Sequence, residues 1–181
     1  MKFFKHLHTI NKHRYLVRKI CFKLGIPLRG MLHDLSKYSL EEFIPGVKYY
    51  QGNKSPNVRE REINGYSKAW MHHKGRNKHH FEYWVDINVK TGLYEPTLMP
   101  LVYLKEMFAD RVAATKVYRK DLYQPSDVLD YYLTREKNLS MHKVTQETLK
   151  SWLIMLKEKG EKETFKYIRN FKEEDYGSHC S

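Results

Sequence analysis

Three positions in this chain place histidine or aspartate where a helical apolar pattern asks for core side chains. His13 falls on the stripe Phe3, Leu7, Ile10, Val17, Ile20 and Leu24, between Ile10 and Val17. The doublet His33-Asp34 follows Met31-Leu32 and precedes Leu35. Asp110 lies within Met107-Phe108-Ala109-Asp110-Arg111-Val112-Ala113-Ala114. A buried carboxylate is costly unless it is paired or binds a cation. Taken singly, each position has a plain structural reading: His13 as a hydrogen-bonded core imidazole, Asp34 and Asp110 as ion pairs with Lys37 and Arg111. Taken together, two imidazoles and two carboxylates make a ligand set for a divalent transition metal such as Mn, Fe, Co, Ni or Zn.

A fourth cluster is the segment Trp70-Met71-His72-His73-Lys74-Gly75-Arg76-Asn77-Lys78-His79-His80, in which two histidine doublets flank a basic, turn-forming stretch. His73 continues the apolar stripe of Trp70 and is therefore preferred over His72 as a ligand. His80 is a candidate general acid or base, because imidazole exchanges protons near neutral pH. Lys37, three residues after Asp34, could offset charge on a bound phosphate. Arg76, Lys78 and Arg111 are candidates for gripping one, arginine in bidentate fashion.

These residues need helices to position them. A first helix is expected over 3–24, ended by Gly25 and followed by a second that starts at Pro27 and carries Leu28, Met31, Leu32 and Leu35, with His33 and Asp34 inside it. Residues 45–57 read as a loop by their Pro, Gly, Asn and Ser content. A third helix is expected from about 57 to 73, with Ile63, Tyr66 and Trp70 facing inward. Residues 83–89 fit either a helix end or a short strand, followed by a turn at Lys90-Thr91-Gly92. Residues 98–119 form the expected central helix, apolar on two sides and so largely buried. Further helices are expected over 127–138, capped by Ser126, from Thr145 to Gly160, and through Phe165, Ile168 and Phe171. The tail from 173 to 181 is expected to be disordered.

The motif series resembles the HD-domain superfamily of metal-dependent phosphohydrolases. That family carries a histidine on one helix, a His-Asp doublet on the next and a distant aspartate on a later helix. Here His13 precedes the doublet, Leu32-His33-Asp34-Leu35-Ser36-Lys37 is similar to the family's Leu-His-Asp-Ile-Gly-Lys, and Ala109-Asp110-Arg111 is similar to its Ala-Asp-Arg. The resemblance covers about residues 10–119; the remainder of the chain matches no motif. It implies an all-α bundle with a C-terminal helical extension (about 126–172), a metal held by His13, His33, Asp34 and Asp110, and hydrolysis of a nucleotide or other small phosphate ester. In two-metal members, additional histidines complete a second site. The cyclic-dinucleotide phosphodiesterase branch has a His-His pair before a Gly-containing turn, although Lys74 stands where that branch has an acid. One ion is expected on this basis, with His73 and Asp34 available to a second. Some HD proteins resemble di-iron oxygenases, and the doublets His72-His73 and His79-His80 keep that alternative open.

Composition sets the outer bounds. With 181 residues and 41% hydrophobic side chains, the chain fits one domain with a sizeable core. No apolar run reaches membrane-spanning length, and the N-terminus lacks the apolar stretch of a signal peptide, so a cytoplasmic protein without membrane attachment is expected. Cys21 and Cys180 are too few for a disulfide framework, and Cys21 reads as core. A formal charge of +12 draws anionic partners, either small phosphorylated substrates or nucleic acid. A basic nucleic-acid binder without catalysis is therefore a competing reading, although no named nucleic-acid motif is present. Oligomeric state and substrate identity are not legible in the sequence.

Overall fold

The computed structural model describes residues 2–177. It is all-α, with nine helices among the described residues: α1 (Lys2–Lys23), α2 (Pro27–Leu32), α3 (Leu40–Lys48), α4 (Pro56–Asn64), α5 (Lys68–Arg76), α6 (Leu101–Arg119), α7 (Ser126–Leu133), α8 (Lys143–Asn170) and α9 (Glu173–Gly177). A small antiparallel hairpin, β1 (Val85–Ile87) with β2 (Tyr94–Pro96), pairs Val85 with Pro96 and Ile87 with Tyr94. Its turn includes Lys90 and Thr91. None of the described helices is long and apolar enough to cross a membrane.

Helix α6 is the axis of the molecule. Leu101, Leu104, Met107, Phe108, Ala109, Val112, Ala113 and Val117 are all buried, which accounts for the apolar residues on two of its sides. It joins Val17, Ile20 and Cys21 of α1 to Leu149, Trp152, Leu153 and Leu156 of α8 in one core. Phe108 packs edge-on against Trp152, with ring centroids 6.0 Å apart. Lys105 also leaves solvent, and its Nζ donates to the Phe171 carbonyl at 2.7 Å, satisfying an acceptor at the end of α8.

Several sequence expectations are corrected. Helix α2 stops at Leu32, and His33 and Asp34 lie beyond it, because Asp34 adopts a left-handed conformation (φ 54°) that an α-helix cannot contain. Leu28, Met31, Leu32 and Leu35 are exposed; the buried residue of α2 is Gly30, and the helix turns that face to α1. The expected loop over 45–57 is shorter, because α3 continues through Pro45 to Lys48. The single helix expected over 57–73 is two, separated at Gly65 (φ 77°), which leaves Ile63 and Tyr66 exposed. Ser126 and Thr145 do not cap helices. Ser126 begins α7 without a side-chain cap, and Thr145 sits buried inside α8, its hydroxyl 2.7 Å from that of Tyr176. Gly160 marks a kink in α8 rather than its end. Residues 173–177 form α9 with Tyr176 buried, so the expected disordered tail is overturned there; residues 178–181, including Cys180, lie outside the described residues.

The approach of α2 to α1 depends on Gly30. A Cβ there would sit 2.7 Å from the Cys21 Cβ and 3.0 Å from the Arg18 Cα, neither of which is a mobile side-chain end. Gly30→Ala gains up to about 1 kcal/mol of helix propensity, but overpacking at a rigid contact costs about 1–3 kcal/mol. Net destabilisation is expected in thermal unfolding. Gly75→Ala in α5, whose Cβ would meet nothing within 4 Å, is expected to be neutral or mildly stabilising.

His6 offers a pH test. It is buried beside Phe43 and Tyr50, and neither ring nitrogen has a hydrogen-bond partner. Burial, assisted by the charge of Lys37, pushes its pKa down from 6.5 to about 4. The folded state therefore favours neutral His6. That contribution is complete above pH 6.5 and is lost as pH falls from 6.5 towards 4. Between pH 7.5 and 5, the melting temperature of the wild type should fall further than that of His6→Leu, as measured by circular dichroism.

Candidate metal centre

Three separate elements deliver one ligand group. Helix α1 presents His13 from its buried stripe, the break after α2 presents His33 and Asp34, and α6 presents Asp110. The break is held open by Arg14, which donates to the His33 carbonyl at 2.8 Å and the Met31 carbonyl at 3.1 Å, satisfying acceptors at the end of α2. Aspartate is among the few non-glycine residues that tolerate the left-handed region, and strain of this kind collects at functional sites.

The ligand atoms converge closely. His13 Nε2 is 3.3 Å from His33 Nε2, 3.0 Å from Asp110 Oδ1 and 3.6 Å from Asp34 Oδ2. His33 Nε2 lies 3.2 Å from Asp34 Oδ2 and 3.7 Å from Asp110 Oδ1. Ligands about 2.1 Å from a transition metal stand about 3.0–3.4 Å apart in octahedral or tetrahedral arrangements, so the group has the dimensions of a first coordination sphere. Its chemistry fits as well. Both oxygens of Asp34 are buried: Oδ2 has the Lys37 ammonium at 2.7 Å, whereas Oδ1 meets only imidazole nitrogens at 3.3 and 3.4 Å, a place that suits a cation. Burial alone would raise the Asp34 carboxyl, but the charges of His33, Lys37 and His73 outweigh it and hold the group well below the carboxylate range. Burial would likewise depress His33, yet Asp34, Asp110 and Glu106 hold its pKa well above 6.5. Both shifts express the same demand for positive charge between these side chains.

A second group shares Asp34. Its Oδ1 lies 3.3 Å from His73 Nε2 and 3.4 Å from His79 Nε2, and His80 completes a set whose ligand atoms all fall within 4.8 Å of one another. Asp34 thus turns one oxygen to each group. Helix α5 carries His73, and Asn77 ends that helix by donating to the His73 carbonyl and to Ser36 Oγ, both at 2.8 Å. The chain then turns back and lays His79 and His80 over the site, with Trp70 beneath His80. Burial and neighbouring imidazoles lower the pKa of His79, and more strongly that of His80, so both favour the neutral form that binds metal.

Sequence reasoning missed two carboxylates. Glu42 on α3 holds His73 Nδ1 at 2.7 Å with one oxygen and His72 Nδ1 at 2.8 Å with the other, which turns His73 and not His72 towards Asp34. Glu106 on α6 is fully buried. Its Oε1 is 3.0 Å from His33 Nδ1 and 3.2 Å from His79 Nδ1, while Oε2 accepts from Arg29 Nε at 2.7 Å. A carboxylate on Nδ1 leaves Nε2 free as a ligand and fixes the ring orientation. Glu106 does this for His33 and stands 3.2 Å from His79 Nδ1 without a formed hydrogen bond. It lies four residues before Asp110, on the same helical face, and that spacing was the available signal.

The other predicted residues divide. Lys37 Nζ is 2.7 Å from Asp34 Oδ2. Arg111 is partly buried, with its Nε lacking a hydrogen-bond partner and no ion pair among the described residues. Its expected pairing with Asp110 is therefore not formed, although its guanidinium lies 5.8 Å from the Tyr132 ring centroid. Arg76 and Lys78 are exposed and are not brought to the ligand atoms; Lys78 instead lies over the rings of Tyr83 and Tyr103.

Fold and site together define an all-α protein with buried His and carboxylate groupings that could hold metal. The chain belongs to the family of unknown function DUF5662, whose model matches residues 2–155. That span includes every residue of both ligand groups. No curated protein and no solved structure matches the chain.

Glu106→Gln leaves a single acceptor oxygen for the three donors that now meet the carboxylate. Metal affinity is expected to fall about 10–100-fold, as measured by competition with a fluorescent chelator. Circular dichroism should remain that of the wild type. Unchanged affinity in a folded variant would show that Glu106 does not orient the histidines.

Proposed function

We propose that the protein is a metal-dependent phosphohydrolase of the HD-domain type, acting on a nucleotide or other small phosphate ester. The observation that supports this reading best is that His13, His33, Asp34 and Asp110, which resemble the HD series in order and flanking residues, have ligand atoms 3.0–3.7 Å apart. A divalent ion in such a set supplies Lewis acidity to a phosphoryl oxygen and lowers the pKa of bound water.

The chain's own residues account for the remaining work. Asp110 keeps 19% and Lys37 31% of its side chain exposed, whereas Asp34 and His33 are closed off, so substrate approaches from the Asp110 and Lys37 side. Lys37 provides a positive charge beside the ligand carboxylate where phosphate would sit. Arg111, one residue after Asp110 and in no ion pair among the described residues, is the candidate to take a phosphate oxygen. His80 Nε2 is buried without a partner, and its lowered pKa makes it a proton acceptor rather than a donor at neutral pH. A second ion would be held by Asp34, His73, His79 and His80. The richness of that group in histidine is the observation favouring the alternative reading, a di-iron oxygenase on the same scaffold.

Elemental analysis of protein loaded with Mn or Fe and then desalted should find transition metal in the wild type and none in Asp34→Ala. Mn-loaded wild type should hydrolyse bis(p-nitrophenyl) phosphate or a member of a nucleotide panel, with Asp34→Ala slower by on the order of 10³-fold or more. Metal retention without phosphoester turnover, together with oxygen uptake by the iron form, would replace the hydrolase reading with the oxygenase.

A further inference from the structure

A cavity of about 340 Å³ lies among Lys2, Lys48, Arg59, Tyr49 and Tyr50, with no acidic residue lining it among those described. This is within the size range of small-ligand pockets. Lys2 and Lys48 form no ion pair among the described residues, and Arg59 shares the exposed Glu62 with Lys54, neither of which lines the cavity. Tyr50 links the cavity to the ligand groups. Its hydroxyl is 3.1 Å from Thr9 Oγ1, and Thr9 stands one helical turn before His13 on the same face of α1. On the other wall, Tyr118 is two turns beyond Asp110 on α6, within electrostatic reach of Lys37, Tyr50 and Asp110. Tyr118, within electrostatic reach of Lys37 and Asp110 on one hand and of Tyr50 on the other, thus relates the ligand carboxylates to the cationic cavity that Tyr50 lines.

The helix rise of 1.5 Å per residue sets the scale. Thr9 is about 6 Å and Lys2 about 16 Å along α1 from His13. Neighbouring phosphates of a pyrophosphate share an oxygen and cannot span that distance. At roughly 3.4 Å of axial repeat per nucleotide in a stacked strand, it corresponds to two to five nucleotides. Cations beside the half-buried Tyr50 and Tyr118 suit such a strand, whose bases stack on aromatic rings irrespective of sequence. We infer that the substrate is a short single-stranded oligonucleotide, with one phosphate at the ligand groups and a following phosphate in the cavity lined by Lys2, Lys48 and Arg59. This rests on the phosphohydrolase reading and specifies its substrate.

Fluorescence anisotropy with a labelled hexathymidylate tests the inference independently of turnover. The wild type should bind the hexamer at least roughly tenfold more tightly than a labelled mononucleotide, with affinity falling steeply as salt rises. Lys48→Glu/Arg59→Glu should abolish that preference. Lys157→Glu/Lys162→Glu on α8 makes the same change in net charge and should retain it. A wild type without preference for the hexamer, or a preference that survives in Lys48→Glu/Arg59→Glu, overturns the inference, and equal loss in both double variants reduces it to non-specific attraction. Turnover of bis(p-nitrophenyl) phosphate, of the nucleotide panel or of the hexamer by the Mn-loaded wild type tests the underlying reading separately. Hexamer preference without such turnover would refute hydrolysis while keeping the cavity as a strand-binding site.

Discussion

The carboxylate of Asp34 is almost entirely removed from water. An isolated charge in that position would unfold the region or take up a proton. Neither is needed here, because four imidazoles and the Lys37 ammonium surround the group at 2.7–3.6 Å. The rest of the architecture can be understood as the means of bringing them there. Helix α1 contributes His13, α5 contributes His73, the turn after it His79, and the break after α2 contributes Asp34 with His33. No two of these elements could supply the compensation alone, so the site ties the first half of the chain to the α6 core.

The same constraint extends one layer outwards. An imidazole that offers Nε2 inward must place its Nδ1 proton, and burial denies it water. Glu42 and Glu106 accept those protons for His73 and His33, and Arg29 in turn neutralises Glu106. Arg29 itself lies over the Tyr103 ring, 4.7 Å from its centroid. Charge thus alternates from the centre to the surface: carboxylate, imidazole, carboxylate, guanidinium, aromatic face. Glu106 belongs to both ligand groups in this sense, and a rotation of its carboxylate would disturb His33 and His79 together.

Much of this was legible in the sequence, for identifiable reasons. Periodicity located α1 and α6 because each buries a long stripe, and His13 and Asp110 were conspicuous as polar groups on those stripes. Helix α2 misled for the opposite reason. Its apolar residues are exposed, and its packing face is a single glycine, which carries no hydrophobic signal. The left-handed Asp34 was invisible because aspartate is common both in helices and in turns. Pro45 and Gly46 suggested a loop, yet Pro45 is accommodated in α3 and Gly46 is small enough to lie against His6. Glu42 and Glu106 were overlooked since a lone glutamate on a helix is ordinarily solvated. Only their partners distinguish them, and those partners are 30 or more residues away.

The excess of positive charge and the buried acids are opposite demands that a binding function alone would not reconcile. A nucleic-acid binder needs cations on its surface and gains nothing from Asp34, Asp110, Glu42 and Glu106 gathered beneath it. Such acids repel phosphate at short range unless positive charge lies between. The partly exposed Lys37 pairs with Asp34 beside the open Asp110, Arg111 forms no ion pair among the described residues, and Arg29 engages Glu106. A basic surface outside and carboxylates that require a cation inside would be the order of contacts that phosphate ester hydrolysis by a metal needs.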